Sequence, residues 1–373
     1  GGRFHVFDLL DEKSSEPLWS RMLYEVPPDR PVDPRATSRW LGGRGVMSAL
    51  KHDPFGRPLG KIGPITDDFL CYQVGTSLYA ADPLTGDVLW EKRNLPRGSD
   101  CFGDGEYLLV VPPGTHNALV LRAIDGLEVG RRVLPSDESR LFSLGRHLLT
   151  WDSAAGVLAL TDPLSEQVIW TQTFDAGAQA AMIADDEVAV LEPSGGFTVL
   201  TASDGTQRVQ AGVDPIEKLQ HFVVLRSDER YVLMSRGAFA DAPDGRLTLP
   251  APSLIEVNGH AYGFDRQSGT LVWKTPIGRQ AFDPSQPSEL PILTLAAQSY
   301  LPGRPALGRN QRPFSLLLLD QRTGEIVFAD ESANPNMRFQ VVVDREDSKI
   351  EVVFYTFKIS LKSRERPAGE PAT

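Results

Sequence analysis

The sequence predicts an all-β, seven-bladed β-propeller, with eight blades as the alternative. Three observations predict it: a strand-turn-strand phrase that recurs seven times, a nearly constant spacing between copies, and chain ends that each offer part of one blade. The clearest copy runs from Tyr79 to Trp90 and carries Asp82, Gly86 and Trp90. Three more keep its key positions: Asp162 and Trp170, then Asp265, Gly269 and Trp273, then Asp320, Gly324 and Phe328. In each the aromatic follows the aspartate by eight positions. Degenerate copies surround the turns Asp125-Gly126 and Asp204-Gly205, and an expanded one runs from Asp8 to Trp19. A unit this short cannot bury its own apolar face, so it must stack on its neighbours.

Spacing gives the blade length. Asp82, Arg122, Asp162 and Thr201 hold one repeat position at steps of 40, 40 and 39 residues, the length of a four-stranded antiparallel blade. Each turn follows an apolar run, such as Leu316–Leu319 or Asn117–Leu121, apolar on both faces as a third strand between packed sheets should be. At the turn, an Asp side chain accepts from turn amides while Gly supplies a positive φ. The segment after it is the outer strand, whose ring fills the seam between blades. Two strands precede each third strand, for example Ser139–Leu144 and His147–Trp151, joined at Gly145-Arg146. After Phe328 the chain offers two strands, Arg338–Val343 and Ile350–Leu361, and it opens with a third and a fourth around Val6 and Trp19. Two and two make a closing blade shared by the N- and C-termini, which removes two exposed edges.

Residues 1–361 therefore read as a single propeller domain, and the charged, Pro-bearing end at 362–373 as a disordered tail. The opening Gly1-Gly2-Arg3, without Met, reads as a piece cut from a longer polypeptide. A formal charge of -11 disfavours nucleic acid, whose backbone calls for clustered Lys and Arg. No apolar run is long enough for a transmembrane segment. The two cysteines, Cys71 and Cys101, fall on neighbouring units, and either pair or stay buried as free thiols.

The phrase from Leu78 to Trp90 resembles the repeat of the pyrroloquinoline-quinone-like (PQQ-like) propellers, Leu-Tyr-Ala-Leu-Asp-x-x-Thr-Gly-x-x-x-Trp. Residues 261–273 match it well, and 157–170 and 316–328 match in part. The resemblance implies the propeller fold and leaves function open, since the family includes quinone-dependent alcohol dehydrogenases, outer-membrane assembly lipoproteins and repeat domains without known activity. It also implies an extracytoplasmic location, in the periplasm or at the cell surface. The dehydrogenase branch would need an adjacent-cysteine disulfide, a calcium site of Glu, Asn and Asp, and an aspartate base beside the quinone. The chain has no Cys-Cys pair and no such constellation.

Other chemical signals are weak. His5, His52, His116, His147, His221 and His260 show no metal-ligand spacing. Asp100, Asp104 and Glu106, and the run Asp185-Asp186-Glu187, lack the alternate-residue spacing of a calcium loop. No serine has the flanking glycines of a nucleophile elbow. The repeat residues Asp82, Gly86, Trp90, Asp162, Trp170, Asp265, Gly269, Trp273, Asp320 and Gly324 read as structural. No catalytic residue, metal or cofactor is assigned.

Insertions point further. In an up-and-down blade, the second-to-third-strand loops share a face with the blade-to-blade connections. Residues 27–60 and 279–290 read as blade-to-blade connections, and 237–258 and 301–313 as second-to-third-strand loops, so all four crowd one face. That face is near neutral or weakly positive beside an acidic remainder. Arg39, Trp40, Arg44, Arg304, Arg309 and Arg312 are the candidate contact residues, because Arg and Trp anchor interfaces. The expected function is a non-catalytic interaction or ligand-recognition scaffold within a larger protein, its partner a protein or other macromolecule. The alternative is a quinone-dependent or other small-ligand enzyme using the central funnel.

Overall fold

The computed structural model describes residues 3–8, 16–23, 61–238, 255–284, 286, 290–298, 314–330, 339–344, 349–354 and 358–362. These residues form twenty-nine strands and no helix. Strands β1 (Arg3–Val6) and β2 (Trp19–Met22) pair with each other. Six successive sets of four follow. The first is β3 (Ile62–Ile65), β4 (Leu70–Val74), β5 (Ser77–Ala81) and β6 (Val88–Lys92), and the second β7 (Asp100–Gly103), β8 (Tyr107–Val111), β9 (Asn117–Arg122) and β10 (Glu128–Val133). The third is β11 (Arg140–Leu144), β12 (His147–Asp152), β13 (Val157–Asp162) and β14 (Gln167–Thr173), and the fourth β15 (Gln179–Ala184), β16 (Glu187–Leu191), β17 (Gly196–Thr201) and β18 (Gln207–Gly212). The fifth is β19 (His221–Arg226), β20 (Arg230–Arg236), β21 (Ile255–Asp265) and β22 (Leu271–Pro276), and the sixth β23 (Gln280–Phe282), β24 (Ile292–Gln298), β25 (Phe314–Asp320) and β26 (Ile326–Asp330). The last sheet is β27 (Phe339–Asp344), β28 (Lys349–Phe354) and β29 (Lys358–Lys362). Within each set the order along the sheet is the order in sequence, as up-and-down blades require.

The strands gather into two compact units, residues Gly1–Val190 with Val199–Gln207, and Leu191–Thr198 with Arg208–Thr373. In the first unit, Leu78, Leu108, Leu121 and Cys71 form one core layer, and Leu149, Leu158, Val188 and Leu200 another. In the second, Met234, Val257, Phe282, Leu293 and Leu319 do the same. Second strands such as β8 and β16 are the most buried, third strands such as β9 are less so, and outer strands such as β10 leave nearly every residue exposed.

A single device repeats at the seams. The Asp of each clear turn is its cap: Asp82 Oδ1 accepts from the amides of Leu84 and Thr85, both at 2.8 Å, and Asp265 and Asp320 accept from the equivalent pairs. The Trp of one set then lies on the turn of the next. Trp19 Nε1 donates to the Pro83 carbonyl at 2.8 Å, Trp90 to Ala123 at 2.8 Å, Trp170 to Ala202 at 3.1 Å and Trp273 to Gln321 at 3.0 Å. The turn glycine is what admits the ring. At Gly126 (φ 67°) a Cβ would stand 2.6 Å from Trp90 Cε3, and at Gly324 (φ 73°) 2.5 Å from Trp273 Cδ2. Two positions beyond the indole, Arg21, Gln172 and Thr275 donate to the carbonyls of Gly86, Gly205 and Gly324.

Departures keep the same logic. Position 130 carries Gly where Trp is expected, and the turn it faces has Glu166 at φ 61° instead of glycine. Val209 replaces another Trp, and a Cβ at Gly269 would stand 3.0 Å from it.

At the chain ends the sequence and the structure differ in detail. The run Ile350–Leu361, expected as one strand, divides into β28 and β29, which pair through Val353 and Lys358. No Gly, Pro, Asn or Asp stands between the two strands in the sequence, so the pattern reads straight through. β1 and β2 form one sheet and β27–β29 another, and a closing blade of two strands from each end is not among the described pairings. Phe4 of β1 packs on Trp19 and Tyr72, and Ile359 and Leu361 of β29 pack beside Leu316 and Leu318. No described helix is long and apolar enough to cross a membrane.

Candidate functional site

The six contact residues expected from the sequence, Arg39, Trp40, Arg44, Arg304, Arg309 and Arg312, lie outside the described residues, as do segments 27–60 and 301–313 and the tail beyond Lys362. Segments 237–258 and 279–290 are described in part, and 279–290 contains strand β23. In the second unit these two segments converge on one carboxylate. Glu256, at the start of β21, is 8% exposed; Arg236 at the end of β20 reaches its Oε2 at 3.1 Å, and Arg279 reaches its Oε1 at 2.5 Å. Two guanidinium groups on one buried carboxylate satisfy its charge and fix the bases of both segments together. The His221 ring adds a contact from Nε2 to the Glu256 carbonyl at 2.7 Å.

Beside this cluster lies a cleft of about 270 Å³. Asp214 to Glu217, in the β18–β19 connection, form one wall, and Gly237 and Ala238, just after β20, form the other. The two are joined where Ala238 N donates to the Glu217 carbonyl at 2.6 Å. A shift in register between β20 and β21 builds the floor: Met234 pairs with Ala261 but Ser235 pairs with Asn258, which pushes Gly259 (φ 81°) and His260 out of the ladder. Asn258 is buried and fully engaged, accepting from Gly237 N at 3.1 Å and donating to Gly237 O at 3.0 Å. Ser235, 6% exposed, lines the cleft.

The rim is charged. Lys274 Nζ stands 2.6 Å from Asp214 Oδ2 and holds that carboxyl below its ordinary value, and His260 Nδ1 lies 3.6 Å from the same oxygen. Asp214 N–H donates to the Tyr262 hydroxyl at 3.4 Å. Burial pushes Tyr262 up to about 12, so at neutral pH it keeps its proton. Tyr262 is held by a stack of rings, with Phe264 at 6.4 Å and Phe197 behind it at 5.1 Å. The cleft thus offers a hydroxyl at its base, a phenol and an imidazole at its side, and a salt-bridged carboxylate at its mouth. The arrangement suits recognition of a polar group.

Sequence reasoning missed this cleft. His260 reads as one of six scattered histidines, and only the polar triplet Asn258-Gly259-His260 in the middle of β21 hints at the bulge. Among the described residues no group of three or more His, Cys, Asp or Glu is placed to hold a metal ion. Cys71 and Cys101 stand on β4 and β7 and are not adjacent in sequence.

The sequence profile described as outer membrane protein assembly factor BamB matches residues 74–290, more than half of the chain. No curated protein matches. Among solved structures, BamB from Moraxella catarrhalis is 12% identical, with 79% of this chain and 82% of that one covered at a TM-score of 0.34. The dihydro-heme d1 dehydrogenase NirN in complex with DHE is 14% identical, with 79% and 61% covered at 0.37. The computationally designed Ika8 protein is 14% identical, with 83% and 96% covered at 0.31.

Proposed function

The chain belongs to the PQQ-like repeat family described as outer membrane protein assembly factor BamB, and from that premise we propose that it is a non-catalytic propeller module that recognises a protein partner. The family description, an assembly factor, supports a protein partner and an extracytoplasmic setting. The face bearing the insertions is the recognition face in this reading. The observation that carries it is the convergence of segments 237–258 and 279–290 on Glu256, beside a cleft whose walls come from the same kinds of connection. A fixed base under long segments, next to a recess lined by polar side chains, is the form that a docking surface takes when side chains and not main chain give specificity.

In this reading Arg39, Trp40, Arg44, Arg304, Arg309 and Arg312 supply the anchors, and the cleft at Ser235 receives a polar side chain of the partner. The test is the affinity of the captured partner for two double variants of the intact chain. Arg39→Ala with Trp40→Ala is expected to weaken binding by roughly tenfold or more, as loss of interface anchors does. Leu84→Ser with Ile124→Ser, at exposed tips of the opposite hairpins, is expected to leave it unchanged. Equal affinity of the first variant and the parent chain would refute the assignment of the face.

A further inference from the structure

Cys71 and Cys101 lie on different sheets, β4 and β7, yet meet at one point. Gly63 on β3 marks that point: a Cβ built there would stand 3.1 Å from Cys71 Cβ, 3.4 Å from Cys101 Cβ and 3.5 Å from Cys101 Sγ. A glycine at this place leaves the two thiols with no side chain between them. Both belong to the apolar layer of Phe69, Leu78, Leu108 and Val110, with Cys71 fully buried and Cys101 partly exposed. We propose that Cys71 and Cys101 form a reversible disulfide that joins the first and second four-stranded sheets, made by a thiol–disulfide oxidant that reaches Cys101 first.

The exchange balances without any other reagent. Cys101 attacks the oxidant's disulfide and forms a mixed disulfide, with one oxidant sulfur leaving as a thiol. Cys71 then attacks Cys101 Sγ, forms the internal bond and releases the second oxidant sulfur as a thiol. The two electrons and two protons lost by the protein dithiol appear in the reduced oxidant. The neighbouring Cys71 thiol, followed by burial, holds Cys101 well above the ordinary thiol value, so little thiolate is present at neutral pH. That makes the pair slow toward adventitious oxidation and faster as pH rises.

The neighbourhood accepts the bond for a physical reason. The Cys71 and Cys101 side chains already occupy one apolar site, so closure replaces a thiol–thiol contact and brings no polar group inside. It also closes a loop over the chain between the two sheets, which removes conformations from the unfolded state.

The test treats the folded wild-type chain with oxidised glutathione over a range of pH, followed by alkylation, mass spectrometry and peptide mapping. The expected result is loss of the mass of two hydrogens, loss of both alkylatable thiols, a crosslinked peptide containing Cys71 and Cys101, and a rate that rises with pH. Melting of the oxidised form should shift upward by about 5 °C and return on reduction. Persistent glutathione adducts on Cys101 with Cys71 still reduced would overturn the proposal, as would two free thiols in the folded chain under conditions that oxidise the unfolded chain. A Cys71→Ala variant keeps the reading testable through one signature: it should stop at the Cys101 glutathione adduct, and failure to form that adduct would contradict the order of attack.

Discussion

Gly126 and Gly114 have nearly the same backbone, φ 67° and 69°, but opposite surroundings. A Cβ at Gly114 meets nothing within 4 Å, whereas at Gly126 it would press into the Trp90 ring. Gly114→Ala should therefore lower stability by about 1 kcal/mol, the strain of a non-glycine residue at positive φ, and Gly126→Ala by roughly 2–4 kcal/mol, the same strain plus overpacking. Denaturant unfolding of the two variants measures the difference, and equal losses would deny the ring its role. The capping aspartates make a pH-dependent contribution. Backbone amides of Thr85 and Leu84 hold Asp82 below its ordinary value of 3.8. A carboxyl depressed on folding adds stability that is full above its unfolded value and is lost as pH falls through its folded value. The difference in melting temperature between the parent chain and Asp82→Ala should accordingly be constant near neutrality and shrink as pH drops below the ordinary aspartate range.

At the scale of the element, the unit of design is a pair: an outer-strand aromatic and the turn of the following set. The chain runs its own control at position 130. Because Gly130 has no ring and Glu166 has a Cβ where other turns have none, Gly130→Trp alone should not stabilise the protein, while Gly130→Trp with Glu166→Gly should restore the seam. A double-mutant cycle is expected to give a coupling of about 1–2 kcal/mol in favour of the pair, and no coupling would mean the seam is set by something else. This pairing explains what the sequence reveals and what it hides. Asp82, Gly86 and Trp90 are legible as a strand-turn-strand unit because the turn chemistry is local and tightly spaced. That Trp90 reaches Ala123, thirty-three residues on, is visible only in space. The residues between β28 and β29 include no Gly, Pro, Asn or Asp to announce a break, so strand number at the C-terminus is not legible. The cleft at Ser235 depends on a register shift between β20 and β21, and a register shift leaves little trace in one strand's sequence. The Arg and Trp anchors follow from where the insertions fall in the repeat and from residue type, and Glu256, which ties two segments together, looks like one acid among forty-nine.

For the whole molecule, a net charge of -11 sets an acidic background, and a repeated sheet unit carries no function by itself. In the proposed reading, specificity sits where the repeat is interrupted, on the face shared by the second-to-third-strand loops and the connections between sets. The most direct measurement is a hydrogen-exchange footprint of the chain with and without its bound protein partner. The account predicts slowed exchange in residues 213–217, 235–238 and 255–260 and in segment 27–60, with none in the turns at 82–87, 122–127 and 320–325. Protection confined to those turns, with the cleft and the insertions unchanged, would contradict it.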